Sequence, residues 1–309
     1  MWAIETRNLR KVFRPLLGSN SIVAVDGLNL QVPTGTIFGF LGPNGAGKTT
    51  TIQILIGNVY PTAGEAFVLG HRAGALAAKR KLGFLPEKFQ FHDFLTAEEF
   101  LRMHGRLAKM DGATLQRRID EVLELVGLAE RRTSKIREFS KGMQQRIGLA
   151  QAILHDPDLV ILDEPTSALD PLGRRRVREV VQYLKEQGKT VFLNSHLLSE
   201  VERSCDQVAI INKGRVVVQG ALDGLLENRS VVRVELKRVQ PRVLEAAATV
   251  AQKVHSIDDR CFTAEVASED DIPLLARAIL ESGGALLGLQ PHRETLEDLF
   301  IQTVESEGK

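Results

Sequence analysis

The chain has 309 residues, enough for one large domain or for one domain plus a small second one. Its formal net charge of +1 gives no bulk attraction to nucleic acid or to acidic membranes, so no nucleic-acid partner is expected. Its two cysteines, Cys205 and Cys261, lie far apart and form no CxxC pair, which suits a reducing compartment and argues against a disulfide framework or a zinc site.

In chain order, the opening MWAIETRNLRKVF carries charges where the apolar stretch of a signal peptide would sit. The longest apolar runs, TIFGFLG and DLVILDE, are too short to span a bilayer. A cytoplasmic chain is expected, with any membrane association made through a partner.

Residues 1–228 alternate short β-rich runs with helical segments, which predicts an α/β domain around a largely parallel sheet. TIFGFL, residues 36–41, is a continuous apolar run of the kind buried on both faces of a sheet. It leads into GPNGAGKTT, residues 42–50, and KTTTIQILIG then reads as a helix ended by Gly57. Residues 88–156 read as a helical subdomain. There Thr96 and Glu99 form a capping box, and Leu115, Ile119, Val122, Leu123 and Val126 share one helical face closed by Gly127. The sheet resumes with LVILDE, residues 159–164. Asp170 and Pro171 open a helix through Gln187, TVFLNS is a strand, and residues 207–220 form a hairpin turning at Asn212 to Gly214, before the short helix ALDGLLEN.

Residues 229–309 read as an accessory α+β domain. The order strand, helix, strand, strand, helix, strand is ferredoxin-like, and a last helix, TLEDLFIQTVE, follows.

GPNGAGKT fits G-x-x-x-x-G-K-[ST] between a strand and a helix, the setting of a P-loop. Gly42, Pro43, Asn44, Gly45, Ala46, Gly47, Lys48, Thr49 and Thr50 form the candidate nucleotide cradle. Its glycines let backbone N–H groups curl around phosphates, and the helix N-terminus adds partial positive charge. Lys48 is placed to reach the β- and γ-phosphates and Thr49 to ligate Mg²⁺. LVILDE is an apolar strand ending in two acids, which is costly unless a cation or substrate awaits them. Asp163 is the candidate Mg²⁺ carboxylate, and Glu164 the candidate base for an attacking water. Alone, such a strand is more often one meeting solvent; after a P-loop the functional reading is favoured.

A second phosphate-facing segment, FSKGMQQR, residues 139–146, has no cradle of its own. With LVILDEPTSALD and the NSH of residues 194–196, in that order after GPNGAGKTT, it resembles the ATP-binding subunit of an ABC transporter. The resemblance covers residues 1–227. It implies ATP and Mg²⁺ as ligands and a head-to-tail dimer, with itself or a paralogue, in which the signature segment of one subunit closes on the other subunit's ATP. Ser140, Lys141, Gly142 and Met143 match that signature. The resemblance also implies an adenine-stacking Phe13, a switch His196 at the γ-phosphate, and an Asp170 that signals between the sites.

Two departures stand out: FSKGM replaces LSGGQ, and Glu87 in GFLPEK stands where the family carries Gln. Glu87 is thereby a candidate coupling residue and Mg²⁺ neighbour. Both variants resemble drug-resistance-type exporters, whose ATPase pairs with a separate integral membrane permease and often carries a small C-terminal domain. The function implied is ATP hydrolysis coupled to export, on the cytoplasmic face of the cell membrane.

The alternatives weigh less. A soluble ABC ATPase acting on ribosomes or nucleic acid would carry two cassettes or a long coiled coil. NKGR, residues 212–215, imitates a guanine-reading NKxD but lacks its Asp. The run GRRRVRE, residues 173–179, reads as a solvated helix face. A sensor role for the C-terminal domain has no recognisable site behind it.

Overall fold

The computed structural model describes residues 1–14, 21–167, 169–226, 230–292 and 295–306. The chain divides into two compact units, Met1–Leu222 together with the chain from Thr303, and Asp223–Gln302. The boundary expected at 228/229 lies outside the described residues, as do the last residues of ALDGLLEN, of which Leu222–Leu225 is helical.

The first unit contains a six-stranded sheet. Its order is Arg215–Ala221, Gln207–Asn212, Ile37–Leu41, Thr190–Asn194, Leu159–Asp163, Leu82–Leu85. All neighbours run parallel except the hairpin of the first two. The three central strands are buried at every residue, as continuous apolar runs covered on both faces must be. Phe38 stacks on Phe192 at 5.9 Å, and a Cβ on Gly39 would stand 2.7 Å from Val201. The register sets Phe40 and Asp163 each beside Asn194, so the central strands end level with one another. The segments that follow them leave the sheet at the same carboxyl edge, where open α/β sheets bind ligands.

A second, antiparallel sheet pairs Ile22–Pro33, Trp2–Phe13, Ala63–Val68 and His71–Arg72. It lies outside the expected strand–helix alternation. Trp2–Phe13 carries register shifts between Thr6 and Leu9 and between Lys11 and Val12, and Asn8 sits at φ +46°, which breaks the two-residue alternation that marks a half-buried strand. One core joins both sheets through the helix Lys48–Leu55, with Leu9, Leu28, Phe40, Ile52 and Phe192 among its members.

Within the expected helical stretch, Thr96 and Glu99 make the capping box of Ala97–Leu107, each satisfying the other's backbone N–H. Asp111 caps Gly112–Leu125, whose face Leu115, Ile119, Val122 and Leu123 is buried. These helices pack with Lys141–Ile153.

The second unit has strand order Lys253–Ser256, Cys261–Val266, Ser230–Leu236, Leu286–His292, every neighbour antiparallel. With helices Pro241–Ala248 and Ile272–Glu281 between strands, this is the ferredoxin-like order. Val232, Val234, Val243, Phe262, Leu275 and Ile279 form its core. Cys205 and Cys261 are buried free thiols, and no helix of the described residues is long and apolar enough to cross a membrane.

Candidate functional site

The loop between Ile37–Leu41 and Lys48–Leu55 approaches its neighbours closely. A Cβ on Gly42 would stand 2.4 Å from the Ile211 carbonyl oxygen, and one on Gly47 2.3 Å from that of Ala24. Gly47 sits at φ +102°, a conformation costly for any residue with a Cβ, and begins the helix without a side-chain cap. First-turn N–H groups there have no intrahelical partner, which makes the helix start an anion-binding element. The Lys48 ammonium donates to the carbonyl oxygens of Gly42, at 2.6 Å, and Pro43, at 3.0 Å. Burial lowers its pKa, and the charges of Glu164 and Asp163 oppose that shift.

Asp163 and Glu164 are 4% and 8% exposed, and burial pushes the pKa of each above the usual carboxylate range. For Asp163, a hydrogen bond from Asn194 opposes the rise, as does the Lys48 charge, while Glu87 adds to it. The Asn194 Nδ2 donates to Asp163 Oδ1 at 2.5 Å. Glu164 lies just past the strand at φ +53°; its N–H donates to the Asn194 carbonyl at 2.9 Å, and its Oε2 lies 2.7 Å from His196 Nδ1.

A groove of about 680 Å³ brings Phe13, Asn44, Gly45, Gly47, Lys48, Thr49, Thr50, Glu87, Glu164 and His196 to one wall system. Gly42, Pro43 and Ala46 complete the loop without lining it, and Asp163 reaches the groove through its hydrogen bond to Asn194, which does. Phe13 is 41% exposed, with the Lys11 ammonium 5.0 Å from its ring centroid. An aromatic plane, a helix start with free N–H groups and the buried Glu164 thus line one cleft, with Asp163 hydrogen-bonded to its wall at Asn194, an arrangement able to hold a nucleoside triphosphate and activate a water against it.

Ser140, Lys141, Gly142 and Asp170 lie elsewhere. They line a groove of about 960 Å³ with Arg146, Arg175 and Arg176, and it shares no lining residue with the first. Ser140 caps Lys141–Ile153, its Oγ accepting from the Met143 N–H at 3.2 Å; Met143 does not line the groove. Asp170 caps Pro171–Glu186, its Oδ1 accepting from the Gly173 N–H at 2.7 Å. Ala168, within SALD, lies outside the described residues. In the arginine run, Arg175 and Arg176 are exposed, as expected of a solvated face, while Arg174 and Arg178 are half-buried. Arg178 holds the buried Glu200 at 2.6 Å, Arg175 and Arg176 both reach Glu179, and the Arg174 guanidinium donates to the Leu169 carbonyl. NKGR is a hairpin turn with Lys213 and Gly214 at positive φ.

Asn194 escaped the sequence reading as a site residue. Its signal was present: a polar side chain ending the apolar strand TVFLN, the pattern that singled out Asp163. Gln145 and Ser167, whose side chains donate to the Glu164 carbonyl, left no such signal.

The model of the ABC transporter family matches residues 25–167. An uncharacterized ABC transporter ATP-binding protein of Nostoc sp. is 39% identical over 98% of this chain and 90% of its own length. The bacitracin transport ATP-binding protein BcrA of Bacillus licheniformis is 35% identical, covering 97% of each chain. Among solved structures, the ATP-binding cassette MJ0796, a dimer in a post-hydrolysis state bound to ADP and Pi, is 26% identical with a TM-score of 0.65, over 71% of this chain and 98% of that one. Sequence likeness along nearly the whole chain and a P-loop fold with the same organisation agree: the chain belongs to the ABC transporter ATP-binding proteins.

Proposed function

We propose that the chain is the ATP-hydrolysing subunit of an exporter, working as a head-to-tail pair beside a separate membrane permease on the cytoplasmic face of the cell membrane. The observation that carries this reading is the separation of the two grooves. The cradle of Lys48 and the signature of Ser140 and Gly142 share no wall within one chain, so both meet one nucleotide only across a dimer. BcrA, a transport protein alike over nearly its whole length, supports the transporter role, and the Glu87 and FSKGM variants support the exporter subgroup. Among the described residues no feature favours ribosomes or nucleic acid.

In this reading residues 1–228 form the nucleotide-binding domain, 88–156 its helical subdomain, and 229–309 an accessory domain. Phe13 stacks on adenine, and Lys48 with the loop amides from Gly42 to Thr50 holds the phosphates. The hydroxyl of Thr49 and the carboxylate of Asp163, with Glu87 nearby, are hard oxygen donors that fit Mg²⁺, which needs few protein ligands beside phosphates and water. Bound there, Mg²⁺ would offset the charge of the phosphate oxygens. Glu164 takes a proton from the attacking water, and His196 holds that carboxylate while facing the γ-phosphate. Ser140 and Gly142 of the second subunit close the site, and Asp170 links the two. ATP binds the closed pair more tightly than the open one, which is what drives closure; Glu87 and the helical subdomain pass that motion to the permease.

Mixing two inactive variants tests this. Lys48→Ala removes the phosphate lysine, and Gly142→Asp sets a carboxylate against the partner's phosphates. Mixed, they recover ATP turnover that neither shows alone, because one of the two shared sites is then intact. Absence of recovery, with mixed dimers demonstrated by tagging, overturns the composite site.

A further inference from the structure

We propose that Asn194 is the positioning residue that makes nucleotide binding depend on its divalent cation, by fixing the side chain of the cation's carboxylate, Asp163. The inference rests on the reading of Asp163 as the cation's carboxylate.

Asn194 ends the central strand Thr190–Asn194, is 2% exposed, and lines the nucleotide groove. It is the register partner of Asp163 on the adjacent parallel strand. Its Nδ2 donates to one oxygen of Asp163, and its carbonyl accepts from the N–H of Glu164 at 2.9 Å. One residue therefore sets the side chain of the first acid and the backbone of the second. The remaining atom, Asn194 Oδ1, is buried and has no hydrogen-bond partner. Turning the amide over would not relieve it, because Oδ1 would then face a carboxylate oxygen, acceptor against acceptor.

An unsatisfied buried acceptor costs about 1–3 kcal/mol, and each such atom in a native site calls for a donor. Apolar residues would pack this strand end without that cost. Asn194 thus holds one Asp163 oxygen and leaves the other for the cation, the arrangement by which residues behind a ligand tune its affinity.

The test measures binding of a fluorescent ATP analogue in excess Mg²⁺ and in EDTA, for wild type, Asn194→Leu and Asn194→Ser. Leu keeps the volume without donor or acceptor, and Ser keeps a hydroxyl with room for a bridging water. Expected is an unchanged affinity in EDTA, with a loss in Mg²⁺ of about 10- to 100-fold for Leu and a smaller loss for Ser. A loss of equal size with and without Mg²⁺ in both variants makes Asn194 a packing residue and overturns the proposal. So does no loss in either. Wild type binding equally in Mg²⁺ and EDTA instead overturns the reading of Asp163, and this inference with it.

Discussion

His196 Nδ1 lies 2.7 Å from Oε2 of Glu164, and the two side chains differ sharply in exposure, 61% against 11%. Burial raises the Glu164 pKa while His196 lowers it by charge and hydrogen bond. The imidazole thus favours the charged form of the buried carboxylate, the form that the proposed role of Glu164 as base requires. Removing it takes away the imidazole's charge and hydrogen bond, leaving only the backbone hydrogen bond of residue 196 against burial, so in His196→Ala the Glu164 pKa rises. A base is active only when deprotonated, so the acid limb of the residual pH–turnover profile moves to higher pH. An acid limb that stays in place while the rate falls would mean that His196 acts on the nucleotide alone.

Glu164→Gln keeps the shape of the side chain and removes the carboxylate proposed as the proton acceptor. Turnover falls by about 10²- to 10⁴-fold, the range supplied by a positioned base, while Mg-ATP still binds. With hydrolysis blocked, the closed dimer accumulates, which light scattering coupled to gel filtration reads directly. A variant that stays monomeric in Mg-ATP would count against closure of the isolated chain.

The cradle glycines are not equivalent. Gly47 sits at φ +102° with the Ala24 carbonyl oxygen 2.3 Å from its ideal Cβ, whereas Gly45 sits at φ +80° with nothing within 4 Å. Gly45→Ala meets no protein atom, so within the fold it carries the left-handed backbone cost, about 1–2 kcal/mol, while its methyl enters the groove proposed for the phosphates. Gly47→Ala adds a backbone clash that moves either the loop or the strand Ile22–Pro33. Thermal unfolding of the two variants should therefore separate, with a smaller fall in melting temperature for Gly45→Ala than for Gly47→Ala and ATP binding weakened in both.

These particular residues show what a sequence displays and what it hides. The P-loop, the two acids, the Thr96–Glu99 box and the ferredoxin-like order were legible because each rests on local chemistry: a turn needing glycine, an acid after an apolar run, a cap three residues from its partner. The antiparallel sheet of Trp2–Phe13 was not, since its register shifts erase the period of two and its partners lie up to about sixty residues away in a pattern fixed only by tertiary pairing. The groove that holds Phe13 beside His196 was legible only through family resemblance, because spacing alone does not say which loops meet at a sheet edge. Asn194 depends on register: its value comes from standing beside Asp163, a fact of strand pairing rather than of either segment.

Glu98 offers a stability test apart from the chemistry. Its carboxylate pairs with Arg102 at 2.5 Å and Arg132 at 3.0 Å, and Arg132 also reaches Asp120 at 2.9 Å, tying Ala97–Leu107 to Gly112–Leu125 and to the segment after it. The Arg132 hydrogen bond is the largest effect on the Glu98 pKa; with the Arg102 hydrogen bond and the charges of both arginines it outweighs desolvation and holds the pKa below its ordinary 4.5. A folded pKa below the unfolded one stabilises above the unfolded value and is lost as pH falls through the folded one. Glu98→Gln should therefore lower stability at pH 7 by about 1 kcal/mol, the upper end for partly exposed pairs. That difference should shrink as the pH drops below 4.5 and vanish once the native carboxyl is protonated. Urea unfolding of both proteins at pH 7 and at successively lower pH measures it. A gap that persists after Glu98 is protonated would assign the effect to helix capping next to Thr96, not to the ion pairs.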